Sequence, residues 1–203
     1  MEKSDFDLKY QNQNTESKIV ASLERISQAF RVLLWQESKE HALTPIQVQV
    51  LIFLLHHGEQ KRKISYLALE FNMTKATISD TVKTLDQKGL IYKEFEMHDA
   101  RSYIIHLTPK GKEIADQTSL FTKEIRKPLE ELNPVDKENL MLSLFNVIRH
   151  LNQAEVITPQ RMCDTCAYFE PSKDGNNPFC KLLNQDLLVK DLRLDCPEHE
   201  LVK

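Results

Sequence analysis

Apolar residues return at helical spacing along most of this chain. Ile19, Leu23, Ile26, Phe30 and Leu33 recur every three or four positions, which predicts an amphipathic helix from about Thr15 to Lys39. Leu34 and Trp35 broaden its stripe. Between Pro45 and His57 the pattern changes. Ile46, Val48, Val50, Leu51, Phe53 and Leu54 leave little polar side, so this helix is expected at the centre of the fold. A short helix over Ser65–Phe71 follows, then one capped by Thr74 and running to about Lys88, with Ile78, Val82 and Leu85 as its buried stripe. A long helix begins at Pro109, with a kink expected near Pro128. Another spans Pro134 to about Gln153 and carries Leu140, Leu144, Ile148 and Leu151 on one side. Pro45, Pro109 and Pro134 directly follow Thr44, Thr108 and Asn133, and each pair reads as a cap followed by the first helical residue.

After Gly89, which suits the position just past a helix end, the period shortens. Leu90–Phe95 and Tyr103–Leu107 are rich in β-branched and aromatic residues and predict two strands, joined by the charged loop Glu96–Ser102. Helix, turn, helix and hairpin is the layout of a winged helix–turn–helix. The polar face of the second of these helices carries Lys75, Thr77, Ser79, Asp80 and Lys83. Lys75, Thr77 and Ser79 lie in its first turns and suit bases and phosphates, Lys83 suits the DNA backbone, and Ala76 suits a thymine methyl. In the loop, Asp99 and Arg101 are spaced so that the carboxylate can hold the guanidinium at the tip of a turn, with Ser102 beside them. Lys61, Arg62 and Lys63 read as a solvated charge run first and as phosphate contacts second.

TKATISDTVKTLDQKGLI, the wing DARS and the HLTPKG that follows it resemble the MarR (multiple-antibiotic-resistance regulator) family of bacterial transcription factors over roughly residues 15–153. The resemblance implies a homodimer built from the terminal helices, whose apolar stripes exceed what the head can cover. It implies that Arg101 enters a minor groove, where a narrow groove concentrates negative potential. Two-fold symmetry would place two recognition helices about one DNA turn apart on a near-palindromic double-stranded operator.

Charge supports the same location. Residues 60–112 hold ten Lys or Arg against six Asp or Glu, although the chain as a whole carries a net charge of −3; cationic charge is concentrated on the reading head. With 41% apolar and 28% charged residues, the chain can bury a core. It has neither a long apolar run nor a signal-peptide core, so no membrane partner and a cytoplasmic location are expected. Only four glycines occur, and neither a Walker nor a dinucleotide fingerprint can be written. The seven histidines show no metal-ligand spacing, and there is no HExxH or nucleophile elbow. The chain is not expected to be an enzyme.

All four cysteines, Cys163, Cys166, Cys180 and Cys196, fall after residue 162. Stable disulfides are disfavoured in the cytoplasm, whereas a metal explains both their number and their proximity. It would also supply folding energy to a segment too short for a core of its own. Zinc takes four thiolates, yet zinc ribbons more often use two close pairs. CDTCAYF, FCKLL and DCPEH are similar to the cluster-binding stretch of high-potential iron–sulfur proteins, with one close pair and two separate ligands. A 4Fe–4S cluster is therefore favoured, zinc is the alternative, and a metal-free thiol switch is the third reading. Tyr168, Phe169 and Phe179 are placed to shield the site.

The expected fold is mainly α with a small β-wing: a MarR-like helical dimer plus a small cysteine-rich module. Residues 1–14 are expected to be poorly ordered, 15–153 to form the winged helix and dimer helices, 154–162 to be a linker, and 163–203 to bind metal. Nine linker residues reach only about 30 Å, so the module must pack near the dimer helices. The expected function is sequence-specific regulation of transcription, by repression, with a redox or small-molecule effector. Two rivals are an electron-carrier subunit on a helical scaffold and an ordinary regulator with a structural zinc module.

Overall fold

The computed structural model describes residues 3–96, 99–157, 161–171 and 177–202, with the backbone alone at 96 and 99–101. Where a poorly ordered N-terminus is expected, residues 8–13 form a short helix α1 (Leu8–Gln13), because the Asp7 carboxylate accepts the amides of Lys9 and Tyr10. Asn14 then caps α2 (Thr15–Glu40). Ser17, buried at their junction, donates to Asp5 and ties the two together.

The centre is α3 (Pro45–His56), started by a reciprocal capping box between Thr44 and Gln47. Val48, Val50, Leu51 and Leu54 are completely buried, as its all-round apolar pattern requires. Against it packs α5 (Lys75–Gln87), and α4 (Ile64–Glu70) packs on α5. Ile78, Val82 and Leu85 of α5 are fully buried as expected, and Thr81 joins them. Gly89 takes the left-handed conformation, φ 69°, that releases the chain from α5.

Strands β1 (Ile91–Glu96) and β2 (Asp99–Leu107) pair antiparallel, Ile91 opposite Leu107, with a register shift after Phe95. The hairpin is longer than the sequence predicts: Asp99–Ser102, expected in the loop, continue β2. Helix α6 (Pro109–Thr118) follows, capped by Thr108. Gly111 is a steric necessity here, since a Cβ would lie 1.8 Å from the Leu90 carbonyl oxygen.

The expected single long helix breaks well before Pro128. The break is a tighter turn at Ser119–Thr122, and Pro128 sits inside α7 (Lys123–Glu130). Side-chain hydroxyls explain the position: Thr118 donates to the Ile114 carbonyl and Ser119 to the Asp116 carbonyl, competing with the backbone ladder. Helix α8 (Pro134–Gln153) has the expected bounds. Beyond it lies a small three-stranded antiparallel sheet, β3 (Phe169–Glu170), β4 (Phe179–Cys180) and β5 (Gln185–Asp186), in that order. No helix among the described residues is long and apolar enough to cross a membrane.

Candidate nucleic-acid interface and cysteine centre

Thr74 sets the start of α5 by accepting the Thr77 amide at 3.1 Å. With the apolar stripe turned inward, Lys75, Ala76, Thr77, Ser79 and Lys83 are all exposed, so one helix face presents every residue expected to read DNA there. The Thr77 hydroxyl also sits 2.9 Å from that of Thr74. Ser102 is half-buried in β2. Asp99 and Arg101 belong to β2 by backbone, and the expected contact between their side chains lies outside the described residues.

The wing is fastened to the helix beside it. Lys93 of β1 pairs with Asp86 of α5 at 2.7 Å and lies over the Tyr103 ring, while Tyr92 stacks on His106. Arg62 is a structural tie: its Nε donates to the His57 carbonyl at 2.7 Å, and its carbonyl accepts the Ile105 amide at 3.0 Å. A helix–turn–helix followed by a hairpin in this arrangement is a winged helix with its second helix free on the outer face.

Residues 42–102 match the family model described as MarR family. That segment is similar to the MarR family. The uncharacterised HTH-type transcriptional regulator YkoM of Bacillus subtilis is 26% identical over 110 residues, covering 54% of this chain and 70% of YkoM. YdgG of the same organism, also an uncharacterised HTH-type transcriptional regulator, is 31% identical over 87 residues, 41% of this chain and 56% of YdgG. Both relatives carry the name of transcriptional regulators. Among solved structures, the Staphylococcus aureus MepR–DNA complex superposes with a TM-score of 0.57 at 22% identity, over 65% of this chain and 97% of that one. At that identity the likeness establishes the fold.

The four cysteines follow the winged-helix head, and all four line one cavity together with Tyr168, Phe169, Leu182, Leu183 and Leu187. Cys163 and Cys166 are buried, Cys180 and Cys196 half-buried, and none is in a disulfide. Two N–H groups reach sulfur: the Arg193 amide lies 3.2 Å from Cys163 Sγ, and Arg193 Nη1 lies 3.4 Å from Cys196 Sγ. Burial pushes the Cys163 thiol above its ordinary range, opposed by the Arg193 amide. Among the described residues no group of three or more His, Cys, Asp or Glu side chains is arranged to hold a single metal ion.

Arg161 and Met162, expected in a linker, are buried, and Arg161 docks the module on the winged-helix head. Its guanidinium grips Glu70 of α4 with both terminal nitrogens, at 2.7 and 3.1 Å, and donates to the Tyr66 hydroxyl at 2.8 Å. The same group holds Asp195 of the module, through Nε and through Nη2 at 2.8 Å. Asp195 also takes His57 Nε2 at 2.8 Å. Hydrogen bonding to Arg161 holds the Asp195 carboxyl well below the usual carboxylate range and pushes Arg161 up. The Arg161 carbonyl accepts the amide of Cys196. None of these partners was anticipated, because Glu70 and Tyr66 stand more than ninety residues away in the chain. The available signal was the placing of Arg161 and Asp195 just before the first and last cysteines.

The module also reaches α8, where Arg149 Nε lies 3.2 Å from Asp164 Oδ2, and the turn Val189–Asp191 packs on the same helix. It therefore rests on the head and on the expected dimer helix together.

Proposed function

We propose that this chain is a sequence-specific regulator of transcription that binds double-stranded DNA as a homodimer, acts as a repressor, and adjusts its operator affinity to the state of its cysteine module. One observation carries the DNA reading: α5 buries Ile78, Val82 and Leu85 while Lys75, Thr77, Ser79 and Lys83 stand outward beside a wing. Cationic and hydroxyl groups on an exposed helix face suit phosphates and major-groove edges. The names of the relatives, HTH-type transcriptional regulators, support a regulator over an electron-carrier subunit. MepR, whose fold is similar, was solved in complex with DNA.

The dimer follows from uncovered apolar surface. Ile19, Ile26, Val32 and Trp35 of α2, with Leu140, Leu144 and Val147 of α8, are exposed in the single chain. A second copy would bury them. Repression follows if the occupied operator overlaps the site of polymerase entry.

Selection of bound duplexes from a random pool tests the proposal. The expected outcome is a near-palindrome with half-site centres about 10 base pairs, or one helical turn, apart. Recovery of no enriched sequence at moderate salt would overturn it.

A further inference from the structure

Four thiols, brought from three separate stretches of chain, surround one cavity walled otherwise by two aromatic rings, three leucines and the charged side chains of Asp191, Arg193 and Glu198. Gathering four free thiols, two buried and two half-buried, around a shared space has no packing advantage over filling that space with apolar side chains. A mononuclear zinc site would require all four sulfurs to converge within about 2.3 Å of one point. Here the four sulfurs line one shared open space, and no group of three or more possible ligands is arranged for a single ion among the described residues. A polynuclear centre is different, since each sulfur meets its own metal at a corner of the cluster. Iron–sulfur clusters take four cysteine thiolates, and their properties respond to hydrogen bonds at sulfur and to solvent exclusion. Hydrogen bonding is present, since Arg193 directs two N–H groups at Cys163 and Cys196, and on one side buried Leu187 and half-buried Phe169 line the cavity.

We propose that Cys163, Cys166, Cys180 and Cys196 hold an iron–sulfur cluster, one thiolate to each iron, and that the Arg161 clamp carries its presence to the reading head. Ligand exchange with a preassembled cluster on a thiolate-bearing donor protein breaks four iron–thiolate bonds there and forms four here, the four thiols passing their protons to the donor's departing thiolates. The clamp follows from different contacts. Arg161 lies two residues before Cys163, holds the amide of Cys196 through its carbonyl, and grips Glu70 and Tyr66 of α4 with its guanidinium. Helix α4 turns directly into α5 through Asn72 and Met73, with Leu67 and Ala68 buried in the shared core. Without the cluster, the Cys163 and Cys196 segments lose their common anchor, and the clamp that seats α4 loosens. This second part rests on the DNA-binding reading; the first does not.

The full-length protein, purified anaerobically from iron-replete cells, is assayed for iron, zinc and acid-labile sulfide, and its visible absorption is recorded. About four iron and four sulfide per chain are expected, with broad visible absorption lost in Cys180→Ser. Stoichiometric zinc without sulfide, two irons per chain, or a metal-free protein with its thiols paired would each overturn the cluster. In the second arm, operator affinity is compared between loaded and chelator-stripped protein. A difference of about 5–150-fold is expected, collapsing toward onefold in Glu70→Gln, whose iron content should stay that of the parent. Equal affinities of loaded and stripped parent protein, or an undiminished difference in Glu70→Gln, would overturn the coupling and leave the cluster standing. Absence of any specific DNA binding by loaded protein would instead overturn the regulator reading.

Discussion

Single side chains divide into those proposed to face DNA and those that hold the molecule together. Lys83 is exposed on the outer face of α5, where a lysine meets phosphate as a point charge. Lys83→Ala should weaken binding similarly on every sequence and reduce the salt slope by about one unit. Arg101→Ala should instead cost about 1–3 kcal/mol on the selected operator and relax its specificity. Fluorescence anisotropy across a salt series separates the two, and equal losses on operator and random DNA for Arg101→Ala would remove its groove contact. Arg161 is of the other kind. Its side chain is 8% exposed, between Glu70 and Asp195, and Arg161→Ala leaves two carboxylates facing each other without a cation. Because Asp195 is itself 44% exposed, the loss should fall toward the low end of about 3–5 kcal/mol. Hydrogen exchange should show residues 161–202 opening while the winged helix stays protected; unchanged protection would mean that the module docks by other contacts.

Among the elements, the junction between the wing and α6 is the most tightly constrained. The Leu90 carbonyl accepts the Thr108 amide at 3.0 Å, the Thr108 hydroxyl donates to the Gly89 carbonyl at 2.8 Å, and Gly111 passes over Leu90 without a side chain. The LTPKG run thus has a physical role: a strand end, a cap, a first-turn proline and a close backbone crossing. Gly111→Ala would drive a methyl into the Leu90 carbonyl and should destabilise the fold by at least about 1–3 kcal/mol, read as a fall in the denaturant midpoint at unchanged slope. An unchanged midpoint would mean that the two backbones separate freely. Helix positions were legible in the sequence because caps and stripes are local. The break at Ser119–Thr122 was not, since Pro128 is a conspicuous helix breaker in a sequence whereas hydroxyls that bond back to carbonyls look like ordinary polar residues. The length of β2 was missed for a related reason: a charged segment resembles a loop until its partner strand is known.

At the scale of the molecule, the exposed stripes of α2 and α8 are the surface on which the proposed second copy would seat. Ile26→Asp places a charge where that copy would seat, at a residue 47% exposed in the single chain. The expected result is a folded monomer by sedimentation, and a dimer as tight as the parent would place the interface elsewhere. Periodicity alone determined the helices, the stripe of α5 and the outward face opposite it, because the spacing of apolar residues dictates which side of a helix is buried. Cysteine number and spacing pointed to a candidate ligand set. Only the tertiary structure decided that the four thiols share one cavity, that Arg161 and Met162 belong to a buried contact and not to a linker, and that the module rests on α4 as well as α8. These depend on pairs such as Arg161–Glu70 and His57–Asp195, separated by 91 and 138 residues. Contacts of that range leave no period in a sequence, since they are selected by the packing of whole elements and not by neighbours along the chain.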